Sequence, residues 1–493
     1  MVTDYSCYNS PINTLILDLG DVVFDWTPPS DTKIKPEDFR RAMNTLFWHE
    51  FERGKISEDE CLEKIVQSRK MQVSAQDLKE TVRQASLSLK ANEEFVSALK
   101  DLKRRYNLKV YAMSNVALPH YEILRAQPWD IWTLFDGIFT SAEVGMRKHD
   151  LGFYYHVIHE SSISPESALF LDDKAENAVA AQSLGIRAVR FTKREEVTRQ
   201  LYNALGNPVY RGDEYLKQQA KRMHAIINGI DVKDNFINLT IFDVTRNPDL
   251  VELVEPVAPH ILWNYFGEKP TLSFIRNFPD DFDTSFLAAL VVGLPEKTAH
   301  QLMDKALKNM NSDGLIMLYD DPNRPRVDQG CCAHMMAFFV RYGRENEVSR
   351  MWEWLYNILL HRAHLIGGYY YHLPDYFLWI MSRITREASK AGRSLPGKIP
   401  IADLLRRRCK ERLGVTDTAL ALGLRLLACQ AVGVPLADYR GDLERLIDMQ
   451  CEDGGWPLCE LYKIPLAKTA IESRGMPTAL ALKVLKDAAF AEC

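Results

Sequence analysis

The chain has 493 residues, a formal net charge of −5, and a composition 46% hydrophobic and 26% charged, which is that of an ordinary water-soluble globular protein. So mild a charge balance argues against nucleic-acid binding, and no apolar run reaches the ~18 residues that a membrane span needs. At roughly 150 residues per domain, the length predicts two or three domains.

The first residues, through Asn13, lack the basic start and apolar core of a signal peptide. Nine cysteines, an odd number without regular spacing, read as reduced thiols rather than zinc ligands. A cytoplasmic location is expected; a homodimer is compatible with the sequence, which does not set the oligomeric state.

In chain order, the first strand signal runs from Thr14 to Val23 and carries Asp18 and Gly20. Two further apolar strands end in polar groups: Val110–Met113 leads to Ser114-Asn115, and Ala168–Leu171 leads to Asp172-Asp173. Polar side chains at the C-terminal ends of parallel strands sit where α/β folds bind ligands. Between them lie Arg147-Lys148 and a helix expected from Leu151 to Glu160.

The order Asp, Ser, Lys, Asp-Asp along alternating strands and helices resembles the haloacid dehalogenase (HAD) superfamily of phosphohydrolases. The stretches Phe51–Ser57, Gly145–Lys148 and Asp172–Asn177 are similar to its sugar-phosphate phosphatase branch, and the resemblance covers about residues 12–193. It implies a Rossmann-like α/β domain over 1–195, with the polar, helical stretch of about 27–95 as a cap. It also implies Asp18 as the nucleophile, with Ser114, Asn115 and Lys148 around the phosphate. Mg²⁺ would be held by Asp18, Asp173 and the Gly20 carbonyl, with Asp172 in support. Gly20 stands where many members have a second Asp, and His149 where proline is usual.

From Lys193 the chain turns charged and then reaches Gly206-Asn207-Pro208, which reads as a linker over 196–212. Beyond it, over 213–493, the pattern is helical throughout. Asp283 before an apolar run is echoed by Asp328, Asp375, Asp417-Thr418 and Pro477-Thr478, at steps of 45, 47, 42 and 60 residues. Such a period predicts repeated helical hairpins, and hence an α/α barrel.

An Asp at this point of the repeat is by default a helix cap. The stretch Asp281-Phe282-Asp283-Thr284-Ser285 differs from the other copies by a second carboxylate and two hydroxyls. Burial and a neighbouring negative charge both favour the neutral carboxylic acid. Asp283, oriented by Asp281 and held by Thr284, is therefore a candidate general acid toward an alkene.

Asp-Phe-Asp-Thr-Ser resembles the Asp-x-Asp-Thr-Thr variant of the acid motif of class II terpene cyclases. That family's second Asp protonates a double bond of an isoprenoid diphosphate, and the diphosphate survives. Gln450 to Trp456, Gln-Cys-Glu-Asp-Gly-Gly-Trp, is similar to the family's Gln-Trp turn. Arg324–Asp328, Tyr462-Lys463 and Ser473–Gly475 resemble stretches of fungal synthases that make drimane sesquiterpenes and fuse the same two domains. The resemblance implies one terpene-cyclase β domain, with Arg326, Lys463 and Arg474 as diphosphate ligands. A glycine- and serine-rich loop of that group is replaced here by Ile464-Pro465-Leu466-Ala467. Carbocations need π faces, and Phe282, Phe338, Phe339, Tyr369, Tyr370, Tyr371, Tyr376, Trp379 and Trp456 supply them, although most are expected to be core.

Together the halves predict a bifunctional enzyme that cyclises farnesyl diphosphate to a bicyclic drimane diphosphate and then removes phosphate, giving a drimenol- or albicanol-type alcohol or its monophosphate. The alternatives are a phosphatase for a small phosphate ester with a partner-binding helical module, and a non-catalytic scaffold.

Overall fold

A computed structural model describes residues 5–26, 33–268, 272, 278–464 and 468–492. Two compact units result: Asn9–Gly206, and a second in which the segment up to Tyr8 joins Asn207 onward. The hydroxyl of Tyr8 donates to the Leu485 carbonyl at 2.9 Å, so the chain start belongs to the helical unit rather than to the α/β domain.

The α/β unit is built on a parallel sheet of β1 (Thr14–Leu17), β2 (Lys109–Ser114), β3 (Gly137–Thr140), β4 (Ala168–Asp172) and β5 (Arg187–Arg190), in the order β3-β2-β1-β4-β5. Strands β1 and β4 are buried along their whole length, as apolar runs covered on both faces must be. The N-terminal strand signal is shorter than the sequence suggests. The chain leaves the sheet after Leu17, and Asp21 takes a left-handed turn conformation at φ 56°.

The helical cap comprises α1 (Pro36–Met43), α2 (Leu46–Glu52), α3 (Glu58–Arg69) and α4 (Ala75–Ser88). Three of its helices are started by side chains typical of N-caps. Thr45 and Ser57 accept from backbone N–H groups, and Ser74 with Asp77 forms a reciprocal capping box. Phe39, Trp48, Phe51, Leu62, Ile65 and Leu78 make the cap's own small core.

The expected linker over 196–212 is instead two helices, Arg194–Leu205 and Pro208–Gln218, with a break at Gly206-Asn207. Its charged residues form a solvent face, while Val197, Leu201, Ala204 and Leu205 are buried beneath them. Asn207 caps the second helix, accepting from the N–H groups of Val209 and Tyr210, and Pro208 fits the first helical position.

In the second unit six helices close a ring: α5 (Phe236–Thr245), α6 (Phe282–Val291), α7 (Gln329–Tyr342), α8 (Pro374–Lys390), α9 (Ala419–Ala431) and α10 (Gly475–Glu492). Each packs on the next, and α10 packs back on α5. Helices such as Ser349–Leu360, Ile401–Arg412 and Leu436–Asp448 pack outside them, which makes an α/α barrel. Every described residue of α6, and Gly330–Val340 of α7, is buried, as expected of helices apolar all round.

The repeat of caps holds in part. Asp328 caps α7, accepting from Gly330 N–H. Asp375, in contrast, lies inside the first turn of α8, where Arg412 and Arg425 take both its oxygens. The predicted series also lacks α5, whose start is held by Asp234 accepting from the Ile237 and Ala225 N–H groups.

Candidate active sites

In the helical unit, the strand pair Trp263–Asn264 and Asp280–Asp281 leads into α6. Asp281 is the N-cap: it accepts from Thr284 N–H at 2.6 Å and from the Thr284 hydroxyl at 3.0 Å. Thr284 therefore holds Asp281, not Asp283. Ser285 donates to the Asp281 carbonyl at 2.5 Å and accepts from Trp263 N–H at 2.8 Å, fixing the turn. Burial, and then the charge of Asp283, pushes the Asp281 carboxyl well above the ordinary carboxylate range against these two bonds.

Two residues further, Asp283 points into the barrel and is 4% exposed. Its two oxygens are taken by residues far away in sequence. Nδ1 of His334, on α7, lies 2.7 Å from Oδ1, and the Tyr371 hydroxyl, just before α8, donates to Oδ2 at 2.6 Å. Burial lowers the pKa of His334 despite Asp283 beside it, so the imidazole is neutral near pH 7. Its Nε2, like the hydroxyl of Tyr265, is buried without a hydrogen-bond partner among the described residues.

Aromatic rings surround this group. Phe236 stacks on Tyr265 (5.3 Å, 6°) and touches both Tyr371 and His334. Tyr376 stacks on Tyr371 at 4.0 Å, and Tyr462 lies against Tyr265, Tyr370 and Tyr371. Of the predicted aromatic set, Tyr370, Tyr371 and Tyr376 belong to this cluster. Phe282, Phe338 and Phe339 pack around Phe286 within the helices, and Trp456 is a buried core residue that donates to Leu446 O. Phe236, Tyr265, Tyr319 and Tyr462 escape a sequence reading, because only barrel closure brings them together.

The predicted diphosphate ligands divide. Arg326 is exposed and lies over the Tyr369 ring at 5.4 Å, while exposed Lys463 is bound through its N–H to the carbonyl of neighbouring Tyr370. These two share one end of the barrel. Arg474 does not join them: it grips Asp453 with two bonds of 2.6 and 2.7 Å, donates to Trp456 O and covers the Tyr215 ring. It is a clasp of the Gln450–Trp456 turn, whose Gln450 amide donates to Pro208 O and Gly454 O. Of the replaced loop, residues 465–467 lie outside the described residues.

In the α/β unit, Asp18 directly follows β1, and Asp172 and Asp173 stand at the end of β4. Each offers an oxygen within 4.8 Å of the others, a hard-oxygen donor set that suits Mg²⁺. Lys148, 1% exposed as a side chain, spans Asp18 (2.9 Å) and Asp172 (2.6 Å). Burial by itself would lower the Lys148 pKa, but the two carboxylates outweigh it and hold it raised. Burial pushes Asp18 upward against the pull of Lys148, and Asp173 is likewise raised. Asn115 accepts from Lys148 N–H and donates to Lys148 O, so it clamps the lysine's backbone. Ser114 is buried at the end of β2. Asp172 is fully occupied by Lys148, the Lys174 N–H and Asn177, which fits a supporting role. A Cβ at Gly20 would meet nothing within 4 Å.

Residues 209–342 match the model of the sesquiterpene cyclase AstC-like C-terminal domain. Over 479 residues, 96% of this chain and 88% of the relative, the sequence is 38% identical to drimenol cyclase drtB of Aspergillus calidoustus. Over 177 residues, 36% of this chain and 88% of the relative, it is 37% identical to sesquiterpene phosphatase astK of Aspergillus oryzae. Among solved structures, a HAD-family enzyme of Bacteroides thetaiotaomicron matches 37% of this chain and 94% of its own, at 23% identity and a TM-score of 0.30.

Proposed function

The chain belongs to the family of drimenol cyclase drtB, a sesquiterpene cyclase with a fused phosphatase, and we propose that it cyclises farnesyl diphosphate with Asp283 as the acid and removes phosphate from the product with Asp18. The observation that carries the first step is the buried Asp283 between Tyr371 and His334, walled by aromatic rings. An alkene has no lone pair, so it takes a proton only from an acid held against it in a dry site. Tyr371 O–H and His334 Nδ1–H then stabilise the aspartate left behind. The rings of Phe236, Tyr265 and Tyr371 face the growing cation with π electrons and carry no strong nucleophile. Arg326 and Lys463 hold the diphosphate outside this apolar space.

In the second step the Asp18 carboxylate attacks the terminal phosphorus, the P–O bond to the cyclised monophosphate breaks as that group leaves, and water then hydrolyses the aspartyl phosphate to inorganic phosphate, while Lys148 balances the charge on the transferred oxygens. Asp18 and Asp173 would hold Mg²⁺, which supplies electrostatic stabilisation of the transferring phosphoryl group. A cytoplasmic location fits the free thiols of Cys61, Cys331, Cys332, Cys409, Cys429 and Cys459.

Incubating the Asp283→Asn protein with farnesyl diphosphate and Mg²⁺ tests the reading. The expected result, after exhaustive phosphatase treatment and extraction, is farnesol without bicyclic product. Bicyclic alcohol at the parent rate would remove Asp283 from the mechanism.

A further inference from the structure

The end of the barrel where the inner helices finish holds a cavity of about 1030 Å³. It is lined by α8 from Trp379 onward, by the C-terminal parts of α9 and α10, by Asp243 and Val244 of α5, and by Ala402, Arg406, residues 432–436 and Tyr439 of the outer helices and their connection. Asp283 stands at the start of α6, at the opposite end. Ten residues of α8 separate Tyr376, in the aromatic cluster, from Arg386 in this cavity, about 15 Å along the axis.

Five cations line it: Arg383, Arg386, Lys390, Arg406 and Lys483. Two carboxylates accompany them. Asp243 is taken by Arg383, with which it is buried, and Asp487 by Lys483. Arg406 binds Val432 O and Asp403. Arg386 and Lys390 share a single loose counter-charge among the described residues: both approach Oε1 of Glu387, at 3.8 and 3.5 Å, too far for a hydrogen bond, while Oε2 of that carboxylate accepts from Arg341 at 2.9 Å. The positive excess is local, in a chain whose net charge is −5.

The cavity is not uniformly charged. Trp379, Leu427 and Val434 give it an apolar wall, and the Gln430 Oε1 acceptor is buried with no hydrogen-bond partner among the described residues. Two cations sharing one loosely held carboxylate oxygen, an apolar wall and a spare acceptor suit a phosphorylated small molecule with a hydroxyl or protonated phosphate oxygen to donate. We propose that this far-end cavity is a second anion site, specific for phosphate or diphosphate groups and separate from both reaction centres. Arg386 and Lys390 bind the anion, and Arg383 stays paired to Asp243 as the wall between the cavity and the His334 side of the barrel.

The test uses the full chain with methylenediphosphonate, an inert diphosphate, in metal-free buffer, read by hydrogen–deuterium exchange. Protection is expected over 382–390 and 427–436, falling as salt rises. Arg386→Ala/Lys390→Ala, which removes two exposed side chains, is expected to bind roughly tenfold or more weakly at these segments, the equivalent of one charge-assisted hydrogen bond. The same variant keeps the parent's protection elsewhere and its cyclisation of farnesyl diphosphate. No protection of the two segments at millimolar probe, or equal protection in parent and variant, would overturn the proposal.

Discussion

Nδ1 of His334 lies 2.7 Å from Oδ1 of Asp283, and the same imidazole leaves its Nε2 buried with no partner among the described residues. A neutral ring costs least in such a place, and burial does lower its pKa. The ring is thus fixed by one strong bond, to the carboxyl proposed as the acid. His334→Ala is expected to reduce the cyclisation rate by about 10² or more, within the usual range for a proton-transfer partner. Tyr371→Phe, which removes the 2.6 Å donor and keeps the ring, should cost about tenfold to 10². Because both act on one carboxyl, the double variant should lose less than the product of the two. Single-turnover rates with farnesyl diphosphate check this, and a fully multiplicative double variant would mean the two donors act on different groups.

What the letters carried was what lies close in sequence. Asp281 and Asp283 are two residues apart, so the pair of carboxylates is legible as a candidate acid site, while only the structure assigns the cap to Asp281. Asp18, Ser114, Lys148 and Asp172-Asp173 each follow a recognisable strand or loop, so the topology of a parallel sheet suffices to assemble them. His334 and Tyr371 were illegible as partners. His334 reads as one polar residue inside a buried helix and Tyr371 as one of three tyrosines in a row, and their meeting at Asp283 depends on how three helices close a ring. Thr284 was placed on the wrong carboxylate for a local reason: an N-cap binds the residue three positions on, which from Asp281 is Thr284. Arg474 looked like a ligand because its partner, Asp453, sits 21 residues earlier, across a turn.

Arg425 is wholly buried and binds Asp375 at 3.0 and 3.1 Å, Asp442 at 3.2 Å and Val415 O at 2.9 Å. Replacing a buried ion pair as a unit is often harmless, but removing one partner strands the others. Arg425→Met should therefore destabilise the helical unit by about 3–5 kcal/mol, and Arg425→Met/Asp442→Asn by less, since one stranded charge goes with it. Urea unfolding followed by circular dichroism, which is dominated by this helix-rich unit, reads the difference. A single variant within 1 kcal/mol of the parent would contradict it.

His364, 1% exposed and stacked on Phe377, is lowered by burial, and further by Arg408, to about 4. Unfolded, its imidazole takes a proton near 6.5, so between pH 6.5 and 4 the unfolded chain binds more protons. Stability from this group is complete above pH 6.5 and falls as pH drops, by about 3 kcal/mol over the window. Asp234 acts oppositely: burial raises it to about 7, so its contribution is complete below the ordinary carboxylate range and is lost as pH rises through 7. The net curve mixes the two, and the difference between parent and His364→Gln isolates the histidine. That difference should shrink from pH 7 to pH 4.5; a difference independent of pH would place a proton on folded His364 at ordinary acidity.

At Gly20 the phosphatase lacks a side chain where an acid would help a leaving group, and the space is open. Cleaving a diphosphate releases a phosphate monoester, whose second pKa is about 6, so that anion departs without help. Cleaving the resulting monophosphate releases an alkoxide, which needs a proton. The drimane diphosphate should therefore be converted quickly to its monophosphate, with the alcohol forming slowly. Gly20→Asp should speed the second hydrolysis by roughly 10² and leave the first within a few-fold, whereas Asp18→Asn should stop both and leave the cyclised diphosphate in place. Time courses of diphosphate, monophosphate and alcohol by mass spectrometry separate these outcomes. Equal rates for both hydrolyses in the parent would mean that another group, with Asp21 the nearest carboxyl in sequence, already supplies the proton.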